Sequence, residues 1–285
     1  MLRFRYCRLG VVMLLCLIAP LSSSASLLAT NDTVLQRTLV TISQMPGLTP
    51  QDLEQAGRVL KGMEYNAQRA VRKLSLLPDA SFARCLPIWK DLAENPVTFD
   101  QLLAFEQWAD LPGATMPQSA EALTVLRAMQ RNTIKTFRAC INMNGMDSGL
   151  ALRLLPMLQQ MSRDSSMAAR SLFGVQGMDV RQGMDSFPLV QQFNRKQAWA
   201  FTAFATIPDM NPATALEALP LFARLREDDA WNLQAFIRRK TPNRSTAWTW
   251  LFRYFTQPLP VQEAQFYSMS ELNRSALLDS FYYAG

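Results

Sequence analysis

Histidine is absent from the 285-residue chain, and cysteine occurs four times. Cys7 and Cys16 sit in a leader-like N-terminal segment, which leaves Cys85 and Cys140 for the body. Zinc needs nitrogen or sulfur ligands in sets of three or four. Serine and cysteine nucleophiles of the triad and dyad type need a histidine base. The composition therefore points away from a zinc centre and from histidine-based hydrolysis, and no cofactor is expected. Carboxylates, cations and aromatic rings remain. Glu227, Asp228 and Asp229 form the densest acidic run. Two such acids can act as proton donor and base on a glycosidic bond, but acids also gather at helix starts, where the backbone dipole favours them. Arg238, Arg239, Lys240, Arg244 and Arg253 cluster near the last loop. They suit either an anionic envelope polymer or acidic tail, or the ordinary placement of cations at a helix C-terminus. Trp248, Trp250, Phe252, Tyr254 and Phe255 crowd the helix that follows, and Trp199 and Trp231 occupy one register in successive repeats. They read as a partner groove or as packing in bulky units. The candidate partner-binding residues are Trp250, Phe252, Arg238, Arg239, Lys240 and Arg244.

What positions these residues is that repeat. Met45-Pro46-Gly47-Leu48-Thr49 returns as Leu77-Pro78-Asp79-Ala80-Ser81 and Leu111-Pro112-Gly113-Ala114-Thr115. Looser copies end at Asp147, Asp179, Asn211 and Asn243. The last residue of every copy is Thr, Ser, Asp or Asn, the types that cap helix N-termini. These residues follow one another at an even step, and only that from Ser81 to Thr115 is slightly longer. The period is about 32 residues, a size that marks stacked helical units.

Numbering from the cap exposes three apolar columns. Eleven residues after it stand Leu60, Leu92, Leu126, Leu158, Val190, Phe222 and Tyr254. Ten before it stand Leu39, Val71, Phe105, Phe137, Ala169, Phe201 and Leu233, and seven before it Ile42, Leu74, Trp108, Cys140, Leu172, Phe204 and Phe236. Their mutual spacing is helical, as one buried face requires. Each unit thus reads as cap, helix A, turn, helix B and loop. Gly47, Gly113, Gly145 and Gly177, two before their caps, fit a left-handed loop residue. Cys85 falls four after its cap, in a column with Ala151, Gly183, Ala215 and Ala247, while Cys140 belongs to the column seven before. That register separates the two cysteines too far for a disulfide, so two buried thiols are expected.

Helix A holds a proline nine after the cap at Pro156, Pro188 and Pro220, in contexts such as Leu154-Leu155-Pro156-Met157-Leu158. Interior proline removes a backbone bond and bends a helix, so a bend at one shared register is expected. With Ser162-Arg163-Asp164 and Ala168-Ala169-Arg170, residues 115–257 loosely resemble HEAT repeats, and the period is nearer that of tetratricopeptide repeats. The resemblance implies an all-α fold, an α-solenoid of about seven helix hairpins with a period of about 32 residues.

The ends complete the organisation. Arg3, Arg5 and Arg8 precede an apolar run from Leu9 to Ala19, and Ser22-Ser23-Ser24-Ala25 offers small residues for cleavage. Residues 1–25 read as a signal peptide, 26–257 as the helical-repeat domain and 258–285 as C-terminal capping helices. Loss of three arginines and no acids takes the formal charge from +6 to +3, a mild bias rather than a nucleic-acid footprint. Asn31-Asp32-Thr33, Asn243-Arg244-Ser245 and Asn273-Arg274-Ser275 match the glycosylation pattern, the first two also standing at expected helix starts. No transmembrane helix is expected after the leader. The resulting expectation is an exported, non-enzymatic scaffold, periplasmic or secreted, that binds a protein or peptide in a bacterial cell envelope. The alternative is a polysaccharide lyase or glycosidase on an α/α architecture.

Overall fold

The computed structural model describes residues 33–240 and 242–256, without the side chains of 250 and 252–256. The leader 1–25, Asn31, Asn273, the closing helices expected in 258–285, and the side chains of Trp250, Phe252, Arg253, Tyr254 and Phe255 lie outside the described residues. Those residues form an all-α helical repeat in which helices pack as sequential pairs. The A helices are α2 (Pro50–Lys61), α4 (Phe82–Glu94), α6 (Met116–Ala128), α8 (Ser148–Gln159), the broken pair α10 (Val180–Asp185) and α11 (Phe187–Gln191), α13 (Pro212–Arg224) and α15 (Arg244–Thr256). The B helices are α1 (Thr33–Ser43), α3 (Tyr65–Leu74), α5 (Phe99–Ala109), α7 (Arg131–Cys140), α9 (Arg163–Phe173), α12 (Arg195–Ala205) and α14 (Glu227–Lys240). The described residues divide between two compact units, with bounds Met1–Leu102 plus Thr115–Pro117 and Leu103–Ala114 plus Gln118–Gly285.

The caps do what their residue types dictate. Asp147 accepts from the Leu150 N–H at 2.7 Å, Asn211 from Thr214 at 2.9 Å and Asn243 from Thr246 at 2.9 Å. Asp179 accepts from both Arg181 and Gln182. Thr49 closes a reciprocal capping box with Asp52. Ser81 departs from the pattern, for its side chain makes no cap bond. The three apolar columns are buried at every described position, and the most exposed member, Phe236, keeps only 5% of its surface. Burial of side chains this size contributes roughly 1.5–3 kcal/mol each, which makes the columns the main source of cohesion.

The loop phrase also ties neighbouring repeats together within each compact unit. In the first unit, Asp79 Oδ1 accepts the N–H of Met116, the first residue of α6, at 2.9 Å. In the second, Asp209 Oδ1 accepts the N–H of Arg244, the first residue of α15, at 2.8 Å. At Gly113, which occupies the same place, a carbonyl does the work, and the Ser148 N–H donates to Pro112 O at 3.1 Å. Each bond satisfies a helix-start N–H that has no partner inside its own helix. The left-handed loop is confirmed at Gly47, Gly113, Gly145 and Gly177, with φ between 72° and 81°.

The proline register gives a mixed result. Pro156 and Pro220 lie inside unbroken helices, but the helix carrying Pro188 stops at Asp185 and restarts at Phe187. Three weaknesses coincide there. Gly183 is a poor helix former, Ser186 Oγ donates to the Gly183 carbonyl at 2.6 Å, and Pro188 supplies no N–H. The shared bend expected from proline alone is therefore replaced by a break in one unit. A further proline, Pro87, sits inside α4 outside the common register.

Gly183 has a packing reason. A methyl group there would meet the Phe173 ring, 2.9 Å from Cζ, and Phe173 is itself held edge-on against Phe187 at 5.3 Å. By contrast, space around Gly62, at the end of α2, is open. Gly183→Ala is therefore expected to lower stability by about 1–3 kcal/mol through overpacking, despite alanine's better helix propensity. Gly62→Ala should be neutral or stabilising by up to about 1 kcal/mol. Urea unfolding followed by circular dichroism measures both.

Candidate functional site

Three successive B-helix starts in the second unit assemble the most elaborate surface cluster. The period places Asp164 second in α9, Arg195 first and Lys196 second in α12, and Glu227 and Asp228 first and second in α14. Trp199 and Trp231 are one turn further along α12 and α14. Residues four apart share a helix face, so the Arg195 guanidinium lies over the Trp199 ring, 4.4 Å from its centroid. The Trp199 indole N–H donates to Asp164 Oδ1 on the preceding B helix at 3.1 Å. The Trp231 ring lies 6.5 Å from that of Trp199, tilted by 41°. Trp199 is thus clamped by a carboxylate, a guanidinium and a second ring, while Trp231 keeps 50% of its surface exposed.

The acidic run is built into the same lacing. Lys196 Nζ lies 3.3 Å from Glu227 Oε2 and 3.4 Å from Asp228 Oδ1. Hydrogen bonding to Glu227, followed by the contribution of Asp228, holds the Lys196 ammonium above the ordinary lysine range. Asp229 is buried, with Arg226 Nε at 3.9 Å. The two exposed acids thus share one lysine, and the third lies beneath the surface. Among the described residues no group of three acidic or thiol side chains converges on one point, and no helix is long and apolar enough to cross a membrane.

Three of the basic candidates fall where a helix dipole favours them. Arg238, Arg239 and Lys240 form the last turn of α14. Arg244 opens α15, where its backbone N–H is held by Asp209. The side chains of Trp250 and Phe252 lie outside the described residues. Trp199 and Trp231 are brought together instead. Their shared register was visible in the sequence. The Asp164 clamp was not, because it depends on the lateral offset between neighbouring B helices.

Cys85 and Cys140 are free thiols and both are buried. Cys85 Sγ lies 3.9 Å from Met116 Sδ. Burial, with a smaller push from the Asp79 charge, raises the Cys85 thiol to about 12, and burial raises Cys140 well above the ordinary range. Neither can supply a thiolate near neutrality. Comparison with protein families, with curated proteins and with solved structures returns no match.

The thiols give a direct check. In a chain lacking residues 1–25, both cysteines should stay silent toward a chromogenic disulfide reagent at pH 8 and react fully in urea. Rapid labelling of the folded chain would contradict the burial of these two columns.

Proposed function

We propose that this chain is a non-enzymatic helical-repeat scaffold that binds a protein or peptide partner in a bacterial cell envelope, after export. The carrying observation is the Trp231 ring, half exposed beside a Trp199 ring that three neighbours hold still. A rigid aromatic pair offers large contact area at little entropic cost. Tryptophan is also among the residues that carry most binding energy at protein interfaces. The surrounding Arg195, Lys196, Glu227 and Asp228 supply charged groups of both signs for a polar rim. Repeat arrays bind through extended surfaces of this type rather than through one deep pocket. The leader-like residues 1–25 support the compartment.

A photo-crosslinking amino acid at position 231 tests the reading. In living cells it should give one discrete protein adduct in the osmotic-shock fraction, and the same probe at position 61 in α2 should not. Absence of any adduct at 231 from folded, exported chain would contradict it.

A further inference from the structure

A groove of about 540 Å³ opens between the C-terminal ends of α9 and α12, in the second unit. It lies at the opposite ends of these helices from Trp199. Its volume falls within the range of ligand sites. Val175, Ile207 and Met210 line it with buried apolar surface, and Arg170 and Gln176 contribute polar groups. No carboxylate lines it.

Arg170 is the informative residue. One period earlier, its counterpart Arg138 donates from Nε to Gln107 Oε1 on the preceding B helix at 3.0 Å. The residue that would serve Arg170 in the same way is Ala139, which has no acceptor to offer. Among the described residues no acid pairs with Arg170, and the residue is exposed and lines the groove. The repeat has kept the cation and lost its internal partner.

We infer that this groove binds a short peptide segment carrying one carboxylate flanked by apolar side chains. The single cation selects one negative charge rather than a polyanion. The apolar lining takes the flanking side chains, and Gln176 suits the amides of an extended backbone. The inference rests on the scaffold reading but names a different surface from Trp231.

The test uses methionine-methyl NMR on the full repeat chain, with Met167 and Met210 of the groove as reporters. The probes are an acetylated, amidated hexapeptide of leucine and alanine with one central glutamate, its glutamine analogue, and decanoate. The glutamate peptide should shift both methyls saturably. Arg170→Gln, or the glutamine peptide, should weaken binding at least about tenfold, as loss of a charge-assisted hydrogen bond implies. Ala139→Gln, which returns the missing partner to Arg170, should weaken it in the same direction. Unmoved methyls, equal binding of the glutamine peptide, or tighter binding of decanoate would overturn the assignment. A crosslink at 231 that survives such a failure would leave the scaffold reading standing and sink only the groove.

Discussion

A single short helix pair cannot bury its apolar face by itself, and that constraint governs everything else in this protein. Isolated helices of 10–14 residues, the lengths of most segments here, are marginal in water. Their stability must come from a neighbour. Each unit therefore presents three apolar residues at fixed places and lends them to the next. Leu158, Phe137 and Leu172 in one stretch, and Phe222, Phe201 and Phe204 in another, are fully buried by this exchange. Phe201 and Phe222 meet edge to face at 5.3 Å, and Phe204 lies at the same distance from Phe222. The columns are shared property, and so their period is nearly invariant.

Close approach imposes a second condition. From the second cap onward the column four after the cap, with Cys85, Ser119, Ala151, Ala215 and Ala247, is fully buried and small, whereas Leu53 in the first repeat is half-buried. It is where helix A must come near its neighbours, and Gly183 is its extreme member. The cysteine there is a small hydrophobe rather than a reagent. The loop phrase meets a third need, since every helix start leaves N–H groups to satisfy. The cap serves its own helix, and at three joints the loop two or three residues earlier serves the start of the next A helix, through Asp79, Pro112 O or Asp209. The turn that ends one unit is thereby also a fitting for its successor.

These three demands were legible in the sequence to different degrees. Caps, apolar columns and left-handed glycines follow from residue type and spacing, and Asp147, Asp179 and Asn211 each open a helix as their types require. The break at Ser186 was not, because it needs Gly183, Ser186 and Pro188 to act together. Nor were the cross-unit bonds of Asp79 and Asp209, since nothing local says where a side chain leaving a loop will end. The candidate surface shows the same limit. The basic cluster near residue 240 drew attention by density, and the helix dipole accounts for Arg238, Arg239 and Lys240 in the last turn of α14 but not for Arg244 at the start of α15. Arg170 became informative only by comparison with Arg138, its repeat counterpart.

If the seam is what holds the array together, protection of backbone amides should follow its period. Hydrogen exchange followed by NMR is the most direct measurement. The slowest amides in the second unit should be those of Phe105, Phe137, Ala169, Phe201 and Leu233, one in each B helix, with the loop phrases between them exchanging fastest. Protection without that period, or concentrated in the loops, would contradict the account.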